Sequence, residues 1–160
     1  MAVKVLQQEE KWTGMLDRFM EELARNIEFE SGSLFVCEAD SQNLHEAAKS
    51  GEGIDFISSV SFPMGAGLSA WVAQKGKVIY LADIHRGSRH GLRPVRSYLS
   101  MPLETNNRVV GVLNLSHTEP NAFDGKRMET IEQLSKEVTR KIYNHKYLKF
   151  FDDEENDFTN

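Results

Sequence analysis

The sequence predicts an α+β domain in which a largely antiparallel sheet is flanked by two long terminal helices. Apolar residues recur every three or four positions near both ends of the chain, as on one face of a helix. Six short runs of strand-type residues lie between these helices, and three of the connections are tight turns. Tight turns join antiparallel strands, because a parallel pair needs a crossover of a dozen or more residues.

The first half of the chain supplies the N-terminal helix and three strands. Residues 5–28 are predicted to be helical, because their apolar side chains fall on one stripe: Trp12, Met15, Leu16, Phe19, Met20, Leu23 and Ile27. Strands are predicted at 33–39, 43–49 and 57–62. Turn-forming residues separate them, including the run Asp40-Ser41-Gln42-Asn43.

The second half begins with a glycine-containing loop, 63–67, that leads into a short helix over 68–75. Gly76 follows it as the residue expected in a left-handed helix cap. A fourth strand is predicted at 78–82, strands five and six at 97–104 and 108–117, and a final helix at 125–149 with Asp124 as its N-cap.

Asn106 and Asn107 predict a two-residue hairpin turn between strands five and six, since asparagine tolerates positive φ. The register then pairs Leu103 with Val110, Met101 with Val112 and Leu99 with Asn114. The opposite face of this hairpin would hold Tyr98, Ser100, Leu113 and Leu115.

Composition limits the classes of function. The 160 residues fit a single domain over 1–150, followed by an acidic tail, 151–160, whose composition predicts disorder. The net charge of −5 disfavours nucleic-acid binding. A single cysteine allows no internal disulfide, and no apolar run is long enough to cross a membrane, so we expect a cytoplasmic protein with neither a nucleic-acid nor a membrane partner.

The two faces of the predicted sheet should be covered differently. Both terminal helices are expected on one face, which leaves the other to the 63–76 segment and the loop after the fourth strand. A face covered by loops and a short helix is where a ligand pocket can form. Tyr98 and Ser100 are the predicted pocket walls, because they would share that face.

Residues 85–96 concentrate four arginines and two histidines in an otherwise acidic chain. One interpretation is a solvated loop whose cations pair loosely with acidic helices. The other is a lid in which Arg86, Arg89 and Arg93 bind an anionic small molecule, since guanidinium forks match carboxylates and phosphates. Gly67 likewise marks either a tight turn of positive φ or a backbone cradle for phosphate. Two histidines without further ligands predict no metal site.

Four segments, taken in order, resemble the GAF domain family. They are GAGLSAWVAQKG at 65–76, VIY at 78–80 followed by Asp83, SYLSMPL at 97–103 and RVVGVLNL at 108–115. The resemblance implies a six-stranded antiparallel sheet, often ordered 3-2-1-6-5-4. It also implies a sensory or regulatory module that binds small ligands on the loop-covered face and dimerises through its terminal helices. The family binds many ligands, so no cofactor is named.

We therefore interpret the chain as a small-molecule sensor in signal transduction, and as a non-enzyme. A small ligand, with an anion favoured, a second copy of the chain and a fused or separate output domain are the expected partners. The alternatives are a ligand-free dimerisation module and an enzyme like the free methionine sulfoxide reductases, which share this fold. The single Cys37 disfavours that enzyme, because its sulfenic acid is resolved by a second cysteine.

Overall fold

A computed structural model describes residues 2–39, 43–51, 67–85 and 94–148 of the chain. In chain order its elements are helix α1 (Ala2–Asn26), strands β1 (Ser31–Cys37) and β2 (Leu44–Gly51), helix α2 (Gly67–Lys75), strands β3 (Ile79–Leu81), β4 (Ser97–Thr105) and β5 (Arg108–His117), and helix α3 (Lys126–Tyr143). A π-helical turn over Asn144–Leu148 continues α3. The α+β class and the antiparallel sheet are confirmed.

Within the described residues the sheet has five strands rather than the six predicted. Their order is β2-β1-β5-β4-β3, and every neighbouring pair is antiparallel. Residues 57–62, which were predicted as the third strand, lie outside the described residues. For the other strands the order agrees with the predicted one.

The β4–β5 hairpin has the predicted turn but a different register. Asn106 and Asn107 have φ values of 51° and 60°, and Thr105 pairs with Arg108 across the turn. A β-bulge then shifts the pairing, so that Glu104 pairs with Val109 and Leu103 with Gly111. The extra residue in β5 moves every later partner by one position.

This shift corrects the predicted faces of the hairpin. Met101 pairs with Leu113, Leu99 with Leu115 and Ser100 with Asn114. Leu113 and Leu115 therefore lie on the same face as Met101 and Leu99, not beside Tyr98 and Ser100 as predicted. A one-residue slip moves a side chain to the other face, because the side chains of a strand alternate.

Helices α1 and α3 pack side by side on one face of the sheet, as predicted. The buried apolar side chains there form the larger core: Leu16, Phe19, Met20, Leu23, Leu34, Val36, Leu99, Met101, Leu103, Leu113, Leu115, Ile131, Val138 and Ile142 are among its members. The two helices are antiparallel. Trp12 of α1 stacks on His145, which follows α3, whereas Asn26 and Arg127 line one cleft at the opposite end.

The other face carries a smaller core beneath α2. Leu68 and Val72 of α2 pack with Val95, Tyr98 and Val112. Gly76 ends α2 with φ of 62°, and its N–H donates to the Val72 carbonyl at 2.9 Å, which confirms the predicted left-handed cap.

The start of α3 differs from the prediction. Gly125, with φ of 56°, occupies the N-cap, and no side chain caps this helix end. Asp124 is therefore not the N-cap, because this left-handed glycine stands between it and the first turn. The backbone carbonyl of Asp124 accepts the Arg127 N–H at 3.1 Å instead.

Tyr147, in the π-helical turn that continues α3, is buried in the chain's own core. Its ring stacks on Tyr143 at 5.5 Å between centroids, and the Arg108 guanidinium lies 4.6 Å from the ring centroid. Among the described helices, none is long and apolar enough to cross a membrane.

Candidate ligand-binding face of the sheet

The sheet face opposite the terminal helices carries a row of polar side chains at its centre. Tyr98 and Ser100 of β4 stand across from Ser116 and Asn114 of β5 in the observed register. All four are at least nine-tenths buried. Because buried polar groups in proteins normally have hydrogen-bond partners, the partners of these side chains show whether the face is complete by itself.

Two polar atoms in this row have no hydrogen-bond partner among the described residues. The Asn114 amide nitrogen donates to the Ser69 hydroxyl of α2 at 2.7 Å. Asn114 Oδ1 and Ser100 Oγ, however, are buried and have no hydrogen-bond partner within the part of the chain that the structure describes. Leaving a buried acceptor or donor unsatisfied costs about 1–3 kcal/mol.

The chemistry of the two atoms is specific. Asn114 Oδ1 only accepts, whereas the Ser100 hydroxyl both donates and accepts. Apolar side chains surround them: Val112 and Val72 are fully buried, and Ile79 pairs with Ser100 in the sheet. A few polar atoms in apolar surroundings are typical of small-molecule sites.

The predicted site residues fall into three groups. Tyr98 and Ser100 lie on this face, as predicted, and burial raises the pKa of Tyr98. Gly67 begins α2 with φ of 80°, and a Cβ built there meets no atom within 4 Å. Backbone conformation rather than space therefore requires glycine. The predicted anion ligands, which are Arg86, Arg89 and Arg93, lie outside the described residues.

The residues that flank 86–93 are joined to one another by hydrogen bonds and an ion pair. The Ile84 N–H donates to the Arg96 carbonyl at 2.7 Å. The Arg96 guanidinium pairs with the Asp83 carboxylate, with Nε at 3.0 Å from Oδ1. His85 Nε2 lies 3.4 Å from Asp83 Oδ2. The two ends of the arginine-rich segment are thus fixed at the edge of the sheet.

Strand β3 and the residues after it also contact the segment that leads into α3. The Asn121 N–H donates to the Ala82 carbonyl at 2.7 Å, and the Phe123 N–H donates to the Tyr80 hydroxyl at 3.2 Å. Burial raises the pKa of Tyr80 to about 12, and the neighbouring Asp124 adds to the shift. Strand β3 and Ala82 are therefore joined by direct hydrogen bonds to the segment that precedes α3.

Asn114 and Ser69 were missed as site residues in the sequence. The register predicted without the bulge places Asn114 opposite Leu99, under the helices, whereas the observed register pairs it with Ser100. One signal was present, because Asn114 is the single polar residue in the run VVGVLNL. A polar side chain buried within such a strand needs a hydrogen-bond partner, and Ser69 of α2 is the one found in the structure.

Cys37, the single cysteine of the chain, is partly buried at the end of β1. Burial and then the nearby Glu38 carboxylate raise the pKa of its thiol to about 11. A thiol acts as a nucleophile through its thiolate, so this environment suppresses its reactivity at neutral pH. A search of the described residues finds no group of three His, Cys, Asp or Glu side chains that could hold a metal ion.

Known structures share this fold at low sequence identity. A type II free methionine-R-sulfoxide reductase from Thermoplasma acidophilum superposes with a TM-score of 0.65 at 15% identity, covering 85% of this chain and 94% of that one. The GAF domain of a phosphoenolpyruvate-protein phosphotransferase from Acinetobacter gives 0.63 at 19%, covering 91% and 95%. A free methionine-R-sulfoxide reductase from Neisseria meningitidis, in complex with its substrate, gives 0.62 at 19%, covering 88% and 83%.

These identities establish a common fold and leave the activity open, since the neighbours include both regulatory domains and enzymes. No curated protein sequence matches the chain significantly. The family model described as "GAF domain" matches residues 10–142, which is most of the chain. The chain belongs to the GAF domain family.

Proposed function

We propose that this GAF domain is a regulatory module that binds a small molecule on the α2 side of its sheet. The observation that carries the proposal is the pair of buried, unsatisfied atoms, Ser100 Oγ and Asn114 Oδ1. A ligand that donates an N–H or O–H to Asn114 Oδ1 removes a desolvation penalty that the described part of the domain leaves uncompensated. An acceptor on the same ligand receives a hydrogen bond from the Ser100 hydroxyl.

Arg86, Arg89 and Arg93 are proposed to supply the second half of recognition. Their guanidinium groups suit a carboxylate or phosphate, and the Asp83–Arg96 pair fixes both ends of the segment that contains them beside β4. The ligand class is therefore a small molecule with one anionic group and one hydrogen-bond donor. A cytoplasmic location is part of the proposal, because a single cysteine without an internal disulfide suits a reducing compartment.

The signal is proposed to leave through α1 and α3. Strands β4 and β5 place ligand-side residues and helix-side residues alternately, so Ser100 lies between Leu99 and Met101, which pack under the helices. The hydrogen bonds that Asn121 and Phe123 donate to Ala82 and Tyr80 give a second route to α3. A ligand that prefers one arrangement of these contacts shifts the population of helix positions. Pairing with a second copy or an output domain through these helices stays a prediction.

Native mass spectrometry of the protein purified without denaturation tests the binding proposal. We expect a bound small molecule that is released on unfolding and lost in Asn114→Leu. The matched control is Asn26→Leu, because Asn26 is exposed at the end of α1. Equal occupancy in both variants would remove Asn114 from the site, and a wild-type protein of bare mass in every preparation would favour the ligand-free dimerisation module.

The shared fold with free methionine-R-sulfoxide reductases supports one competing function. That reaction would need a nucleophilic thiol, and Cys37 has a raised pKa and no second cysteine to resolve a sulfenic acid. We expect no reduction of free methionine-R-sulfoxide with dithiothreitol above the level of Cys37→Ser. Turnover that disappears in Cys37→Ser would establish the enzyme instead.

A further inference from the structure

The first ten described residues of α1 form a helical segment whose side chains are all exposed. Residues 2–11 are exposed without exception, and Val3, Val5 and Leu6 are 66%, 54% and 59% exposed. An isolated helix of this length is marginal in water, because most helical stability in proteins comes from packing of an apolar face. None of the described residues covers this segment, so its apolar side chains need another partner to stabilise the helix.

The direction of α3 indicates which part of the chain could cover residues 2–11 of α1. Since α1 and α3 are antiparallel, the chain after His145 runs toward the first turns of α1. Trp12 lies flat against His145, with ring centroids 3.9 Å apart, and Val5 stands seven residues before Trp12, on the same side of the helix. Val5 is thus about 10 Å beyond the stacked pair.

The residues that follow Leu148 have the reach and the side chains to cover this surface. Phe150 is five residues after His145, a span of roughly 8 Å if the helical path of residues 144–148 continues and roughly 11 Å if the last two residues are extended. This span is long enough for Phe150 to reach the level of Val5. The next four residues, 152–155, are all acidic.

The exposed surface of α1 carries charges opposite to those of residues 152–155. Lys4 and Lys11 are also seven residues apart, so they form a basic row beside Val5, and neither has an ion pair with any described residue. The first turn of α1 contains no acidic side chain, which leaves the positive end of its dipole unopposed. Lys11, Trp12, Lys141 and His145 also line an open groove of about 430 Å³, which Gln8 borders on the side of the first turns of α1.

We propose that residues 149–155 of this chain dock in cis on the first three turns of α1, with Phe150 and Phe151 over Val5 and the groove, and with the acidic residues beside Lys4 and Lys11. The docked segment extends the helix-side core beyond the end of α3. It also occupies the surface that a second copy would need in order to pair through the start of α1, so docking and such pairing exclude each other.

The test uses Trp12 as reporter in a Trp71→Phe background, where it is the only tryptophan. We expect acrylamide to quench Trp12 about twofold more efficiently in a chain ending at Leu148 than in the full chain, because the cover is lost. Phe150→Ser with Phe151→Ser should reproduce the increase, and Phe158→Ser, the matched control, should not. A synthetic peptide of residues 149–160 should restore protection to the shortened chain, less so at high salt.

Two outcomes overturn the proposal. One is equal quenching of Trp12 in the full and shortened chains. The other is protection that grows over a roughly hundredfold range of protein concentration whether or not the tail is present, because that identifies a second copy as the cover. If the shortened chain unfolds, an intramolecular disulfide between Val5→Cys and Phe150→Cys in a Cys37→Ser background gives the answer. It forms only when the two Cα atoms approach within about 7 Å.

Discussion

Leu113 and Asn114 are neighbours on β5, yet they point to opposite faces of the sheet and meet different surroundings. Leu113 packs in the apolar core beneath α1 and α3. Asn114 lies beneath α2, where the described residues satisfy its amide nitrogen but not Oδ1. The helix-covered face therefore contributes mainly to stability. The α2 face keeps buried atoms that have no hydrogen-bond partner among the described residues, and selection for stability alone would not favour them.

The largest effect is expected on the helix-covered face. Leu113→Ala leaves a cavity at a fully buried position and should lower the free energy of unfolding by about 2–5 kcal/mol. Urea denaturation measures the loss, and Val3→Ala on the exposed part of α1 is the control, with an expected change within about 0.5 kcal/mol. Equal small losses at both positions would mean that this face is not close-packed.

Gly111 tests how closely the two central strands approach. A Cβ built on Gly111 would lie 2.5 Å from the Phe35 carbonyl oxygen of β1, a backbone atom that cannot move without disturbing the sheet. Gly111→Ala should therefore destabilise by about 1–3 kcal/mol through overpacking. The control is Gly14→Ala, where no atom lies within 4 Å and helix propensity favours alanine. A neutral Gly111→Ala would contradict the close approach.

The polar face should respond in the opposite direction. Ser100→Ala removes a buried hydroxyl that has no partner among the described residues, so ligand-free protein should become more stable by roughly 1 kcal/mol. Ser135→Ala is the matched control, because the Ser135 hydroxyl is equally buried but donates to the Ile131 carbonyl at 2.6 Å. Destabilisation of both variants to the same degree would show that Ser100 is satisfied.

The smallest effect is expected at the end of β1, and only at alkaline pH. The pKa of Cys37 is raised from 9.0 to about 11, so the folded state holds its proton more tightly than the unfolded state. The resulting stability is fully present below pH 9 and is lost as pH rises toward 11. In Cys37→Ser the thermal unfolding midpoint should therefore fall less steeply between pH 9 and pH 11 than in wild type. An unchanged dependence of the midpoint on pH would mean that Cys37 is solvated.

The sequence predicted this architecture well because its signals were local. The positive-φ pair Asn106-Asn107 marks a hairpin turn by itself, and the apolar stripes of α1 and α3 require a common surface. The bulge could not be predicted, since the register of β5 is set by its pairing with β4 and β1, and no local pattern in the sequence marks the extra residue. That single residue decided which face Asn114 occupies, and hence which residues form the candidate site.

The most direct test of the account is ligand-induced stabilisation of paired variants. The thermal unfolding midpoint is measured for wild type and for Ser100→Ala with Asn114→Leu, each against free amino acids, cyclic nucleotides, small dicarboxylates and sugar phosphates. The account predicts that at least one compound raises the wild-type midpoint by several degrees and leaves the double variant unchanged. The same compound stabilising both proteins equally, or no compound stabilising either, would contradict a binding site at Ser100 and Asn114.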